Sequence, residues 1–427
     1  MRARRLSLAG IPAAVATVAA FGLAPAPPAA AASKVSISFM EAMSSGTQKT
    51  ALATLTSQFE KANPNITVQL IAEPDYGTLL QKEEAAVAAG NPPTMGQAYE
   101  NWAATFAASK AIVPLGGYVS GKHGVSGAAQ KQIWPSVWKD LYLPDGKIWM
   151  WPFNKSDYVV YYNSDMLAKN HVSVPTTWAQ WVADGAKLTT GADWAESIDT
   201  GTLSAPANGT YVYLSMVRAY GGTWTNNQKP TLDTPAAVSA LSMLQSMVKK
   251  GYVKIGTNYP GQTALGAGRS AFDISTVAGY PYVVDAVGKK FTLEVAAVPS
   301  GPAGQANALE GTNVVMFSKA TRAERSAAWS FMKWLSEPKQ TAYWAEETGY
   351  LPVTKAALPL MAGYDATHPY QKIAAEELQY ATPSPPFSWW TEAVGQVGTA
   401  LQAALVNGEA PAQALAAAQQ KAMAALH

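Results

Sequence analysis

The chain reads as an α/β protein with two or three cores. Three observations predict this. Val35-Ser36-Ile37-Ser38-Phe39 and Ile66-Thr67-Val68-Gln69-Leu70 alternate apolar and polar residues, as half-buried strands do, and helical spacing follows each. The alternation of strand and helix resumes after Asn163. At 427 residues the chain is long for a single core, on a prior of about 150 residues each.

The first residues stand apart. Arg2, Arg4 and Arg5 form a basic start, Leu6 to Leu23 is mostly apolar, and Ala30-Ala31-Ala32 precedes Ser33 as a cleavage signal. Residues 1–32 are therefore predicted to be a secretory signal peptide. Pro12 interrupts the apolar run and Pro25, Pro27 and Pro28 close it, which argues against a membrane anchor. Secretion across the inner membrane places the protein in the periplasm or outside the cell. With no cysteine at all, it has no cysteine for a lipid to attach to.

Each element has its local reason. Leu52, Leu55 and Phe59 lie at helical spacing, and Asn63-Pro64-Asn65 ends that helix. Tyr76 to Ala89 forms a second helix, stopped by Gly90-Asn91-Pro92-Pro93. Met95 to Tyr99 is a third strand, and Glu100-Asn101-Trp102 opens another helix. Met40-Glu41, Tyr76 and Glu100 follow strands or begin helices, where ligands sit in open α/β sheets. Lys147 to Asn163 is the central stretch. Trp149, Trp151 and Phe153 form an aromatic wall, Asn154-Lys155-Ser156 a short polar run, and Tyr158 to Tyr162 a β-branched and aromatic strand. Such a stretch suits a cleft edge, and equally a core strand with a proline-containing turn. Asn163 can cap a helix beginning near Met166. Asp233-Thr234-Pro235 starts a helix with Leu241, Leu244 and Val248 on its apolar face, and Arg322 to Leu335 forms another. Ala271 to Ile274, Phe291 to Val295 and Thr312 to Met316 mark further strands.

Composition narrows the function. The formal net charge is +2 and falls when the three leading arginines are removed, so no basic surface for nucleic acid is expected. Absence of cysteine excludes disulfides, a thiol nucleophile and cysteine-held metal. Four histidines stand apart, with no HExxH, so neither metal nor cofactor is expected. No GxSxG elbow occurs, and Gly266 to Ala271 fits GxGxxA loosely but precedes a strand. Glu41, Glu100 and Asp273 could supply the two carboxylates of a glycosidase. The aromatic excess, with 14 Trp and 19 Tyr, suits a neutral ligand such as a carbohydrate, or large cores.

Several segments carry a family resemblance. Phe59-Glu60-Lys61-Ala62-Asn63-Pro64, Ala88 to Pro93, Ala108 to Leu115, Pro152-Phe153-Asn154 with Tyr161-Tyr162-Asn163, Thr348 to Val353 and Pro385-Pro386-Phe387 occur in order over most of the chain. In these the chain resembles the extracellular solute-binding proteins of ABC sugar importers, most closely the glycerol-3-phosphate-binding branch. The resemblance implies a two-lobed periplasmic-binding-protein fold of type II, with hinge segments and a ligand clamped between lobes. It divides the chain into lobe 1, residues 33–150 and 276–318, and lobe 2, residues 151–275 and 319–427. Tyr76, Glu100, Ser156, Gly311 and Tyr350 match ligand-contacting positions of that branch. Trp224, Trp389 and Trp390 are expected to add stacking faces. One departure matters: no arginine follows Pro385-Pro386-Phe387, where that branch holds its phosphate. The expected ligand is thus a sugar or a glycerophosphodiester, delivered by a monomer to permease subunits in the membrane. The alternatives are glycerol-3-phosphate itself, or a secreted glycoside hydrolase.

Overall fold

Two twisted sheets carry the architecture. In the first, the parallel strands Ile66–Ala72, Val35–Glu41 and Met95–Ala98 adjoin the long strand Asn307–Met316, which runs antiparallel to Met95–Ala98. Trp151–Ser156 pairs antiparallel with that long strand, and Ala381–Pro383 pairs parallel with its start. In the second sheet the order is Leu293–Ala296, Tyr158–Asn163, Ser270–Thr276, Trp194–Asp199 and Val253–Gly256. This computed structural model describes residues 1, 10, 34–201 and 207–426. Apart from Met1 and Gly10, the expected signal peptide lies outside the described residues. From Lys34 onward the chain forms one compact unit.

Side-chain period explains the cores. Along Val35–Glu41, Ile37 and Phe39 enter the main core of the first sheet, while Met40 enters a smaller cluster on its opposite face with Leu79, Trp102 and Phe106. Along Tyr158–Asn163, Tyr158 and Val160 enter one core and Val159 and Tyr161 the other. The second sheet is thus buried on both faces at this strand, which carries an apolar and aromatic run from Tyr158 to Tyr162. Caps fall where the residue types predict. Asp75 Oδ1 accepts from the Thr78 amide at 2.7 Å, and Asn163 Oδ1 from the Met166 amide at 2.9 Å.

The expected lobe boundaries need correction. Trp151–Ser156 belongs to the first sheet, and the helices Arg322–Leu335 and Pro338–Thr348 pack on that sheet's core, although lobe 2 was expected to hold them. Phe331 lies 6.3 Å from Phe39 and 5.0 Å from Phe59, ring to ring, and Trp329 lies 5.0 Å from Trp151. Leu293–Ala296 pairs in the second sheet, where lobe 1 was expected. A helix's apolar stripe says that it packs, not on which sheet. The chain passes between sheets at Asp157, along Asn307–Met316, and between Leu378 and Trp390.

Candidate functional site

The cleft side of the first sheet is built from strand ends and helix starts. Tyr76 opens the helix Tyr76–Ala88 after the strand Ile66–Ala72, and Tyr99 precedes the helix Glu100–Ala108 after Met95–Ala98. Ser156 ends its strand, Gly311 lies within Asn307–Met316, and Tyr350 follows the left-handed Gly349 that ends a helix. From the second sheet come Ser197 to Asp199, Asp273 to Thr276, the helix residue Tyr211 and the segment Thr257 to Tyr259. These groups surround one cavity of about 560 Å³.

A buried polar chain fixes the tyrosines. Gln97 Nε2 donates to Asn154 Oδ1 at 3.0 Å and to Thr312 Oγ1 at 2.9 Å. Asn154 Nδ2 donates to Tyr76 Oη at 2.8 Å, and the Tyr76 and Tyr350 hydroxyls lie 3.1 Å apart. Each ring is therefore held by a partner that is itself satisfied, which is what pre-organises a binding site. Gly311 lets the backbones meet: φ is +80°, and a Cβ there would lie 1.8 Å from the Asn154 carbonyl oxygen.

Six tyrosines and three carboxyl groups line the cavity, and no Lys, Arg or His does. Burial pushes the Glu310 carboxyl up to about 8, with Lys155 opposing and Asp140 adding to the rise. Burial likewise raises Asp273 to about 7, against the hydrogen bond that Ser275 Oγ donates to its Oδ2 at 2.9 Å. Near neutral pH Glu310 therefore largely keeps its proton and Asp273 is partly protonated, so both can donate as well as accept hydrogen bonds. Among the described residues no group of three or more His, Asp or Glu side chains could hold a metal ion.

Of the sequence-predicted residues, Tyr76, Ser156, Gly311 and Tyr350 meet at this cavity. Four do not. Glu100 is buried beside Lys155 Nζ at 3.6 Å and lines a smaller cavity of about 280 Å³. Trp224 lines that smaller cavity edge while its Nε1 donates to the Leu214 carbonyl at 2.9 Å. Trp390 is a core side chain, stacked with Trp224 at 6.1 Å, and Trp389 stacks on Phe387 at 5.1 Å. The indoles are claimed by packing because each is large and has apolar neighbours on the same helix turn or core. Sequence reading missed Tyr99, Tyr211, Tyr259, Ser275 and Glu310. Position after a strand was a usable signal for Tyr99; Tyr211 and Glu310 carry none.

Two sheets with a polar, tyrosine-rich cavity between them define a solute-binding protein, and the chain belongs to the bacterial extracellular solute-binding protein family, whose pattern matches residues 54–372. It is 27% identical over 358 residues to the sn-glycerol-3-phosphate-binding periplasmic protein UgpB of Escherichia coli O1:K1, covering 78% of both chains. Among solved structures it is similar to UgpB from Mycobacterium tuberculosis in complex with glycerophosphocholine, at a TM-score of 0.80 and 21% identity, over 92% of this chain and 98% of that one. It is also similar to the cyclic α-maltosyl-1,6-maltose binding protein of Arthrobacter globiformis, at 0.79 and 19%, over 92% and 99%. These likenesses confirm the two-lobed fold.

Proposed function

We propose that the protein captures a carbohydrate-type solute, a sugar or a glycerophosphodiester, in the 560 Å³ cavity and presents it to the permease of an ABC importer. The observation that carries this is the lining: six tyrosines, Ser156 and Ser275 converge from both sheets, with no cation. Hydroxyl-rich ligands need paired donors and acceptors beside flat apolar faces, and this lining supplies both. Bare glycerol-3-phosphate is disfavoured there, because a dianion in a closed cleft needs charge-assisted donors. The UgpB relatives and the sugar-binding neighbours support the solute class. In this reading the protein acts as a monomer outside the inner membrane and has no catalytic step.

Calorimetry against maltose, trehalose, glycerophosphocholine and glycerol-3-phosphate tests the proposal, with recovery of the ligand after incubation. Binding of at least one of the first three, with the ligand returned intact, is expected. Release of monosaccharide would instead establish a hydrolase.

A further inference from the structure

We propose that the smaller cavity is an anion seat built on Arg218, and that the solute spans both cavities with an acidic group at this end. The inference rests on the solute-binding reading above and adds to it the charge pattern of the ligand.

The 280 Å³ cavity lies between Glu100 and Asp140 on one side and Arg218 and Trp224 on the other, with Pro383 to Pro386 along its margin. Its charges are unequally engaged. Lys155 Nζ lies 2.5 Å from Asp140 Oδ2 and 3.6 Å from Glu100 Oε1, and donates to the Gly311 carbonyl at 3.1 Å. That lysine and that aspartate neutralise one another. Glu100 retains its proton to well above the usual range, chiefly through burial and then through the Asp140 charge, with Lys155 opposing. Arg218 differs. Among the described residues its only hydrogen bond is from Nη1 to the Gly222 carbonyl at 3.3 Å, and no carboxylate oxygen lies within 4.0 Å of it. A half-buried guanidinium with most of its fork unspent faces a cavity, and the exposed Lys139 adds a second positive charge at the rim. A guanidinium fork matches phosphate or carboxylate oxygens in pairs.

The two cavities are arranged along one element. Tyr211 lines the larger and Arg218 the smaller, and both lie on the helix Asn208–Ala219. Seven residues are two turns, so the two side chains share a face at a separation of about 10.5 Å along the axis. On the facing side the consecutive residues Tyr99 and Glu100 divide in the same way. One end of the cleft thus has carboxyl groups and tyrosines without a cation, and the other end has a free guanidinium. The complementary solute has a polyhydroxyl or cationic body and one anionic group, as a phosphodiester of a polyol has.

Calorimetry on the full-length secreted protein tests this, with glycerophosphocholine and maltose as probes. For the wild type, glycerophosphocholine is expected to bind more tightly than maltose, and inorganic phosphate to compete with it. In Arg218→Gln the ratio of the two affinities should fall at least tenfold, with partial recovery in Arg218→Lys and tight binding weakened by added salt. A melting curve for each variant separates lost charge from lost fold, and the phosphate competition needs no variant. Maltose binding alone, or an unchanged affinity ratio in Arg218→Gln, overturns the anion seat and leaves solute capture standing. Heat from neither probe overturns both.

Discussion

Lys155 is fully buried, and three oxygens hold it: Asp140 Oδ2, Glu100 Oε1 and the Gly311 carbonyl. Removing one member of such a set strands the others in a low dielectric, at a cost of about 3–5 kcal/mol. Lys155→Met should accordingly lower the urea midpoint sharply, and an unchanged midpoint would show that the ion pairs contribute nothing. Tyr259 presents the opposite case. It sits at φ 58° and ψ 55°, in the left-handed region, is 66% exposed, and lines the larger cavity. For a non-glycine residue this conformation costs roughly 1–2 kcal/mol. Tyr259→Gly is therefore expected to raise the melting temperature while weakening solute binding. If the ring has no role with ligand, affinity will stay the same while stability rises.

At the scale of elements, the helix Tyr76–Ala88 both positions Tyr76 and carries a liability. Glu83 is completely buried against the first sheet, and neither of its carboxyl oxygens has a hydrogen-bond partner among the described residues. Gly96 makes the room: a Cβ there would lie 1.8 Å from Glu83 Oε1. Burial, and secondarily the Glu84 charge, holds the Glu83 carboxyl well above its usual range. The folded protein thus keeps a proton that the unfolded chain loses above a pH of about 4.5, so this residue makes stability fall as pH rises. Glu83→Met should stabilise the protein, and by more at pH 8 than at pH 5. Denaturation curves at both pH values check this, and an equal gain at both would mean that Glu83 is not buried in its neutral form.

Over the whole molecule the same sign recurs. Asp273 and Glu310 ionise at about 7 and about 8 in the folded state. Both are higher than in the unfolded chain, so the stability they contribute is complete in acid and is lost as pH rises toward 8. The melting temperature should fall from pH 5 to pH 8 and level off beyond, and Glu310→Gln should flatten part of that slope. The cavity between the sheets also implies closure about the crossings at Asp157 and along Asn307–Met316. Asn307 ties the crossings together: its Oδ1 accepts from the Tyr158 amide at 3.1 Å and its Nδ2 donates to the Tyr158 carbonyl at 2.8 Å. Small-angle scattering should show compaction at saturating ligand, and an unchanged radius would count against hinge closure.

Strands, helices and caps were legible in the sequence because they depend on neighbours two to four residues apart. Asn163 before Met166 and the alternation at Ile37 and Phe39 are examples. Tyr76, Ser156, Gly311 and Tyr350 were legible through a family resemblance, since their motifs keep a fixed order along the chain. What the sequence could not reveal depends on contacts between distant segments. The stripe on Arg322–Leu335 identified a packed helix, but its contacts with the distant Phe39, Phe59 and Trp151 assign it to the first sheet. Trp224 and Trp390 have the residue type of a sugar platform, yet they spend their faces on each other. Arg218 has no local mark at all; it faces a cavity because helix packing turns Tyr211 and Arg218 toward the same cleft. Local propensity decides which elements form, and tertiary packing decides which side chains remain free to meet a ligand.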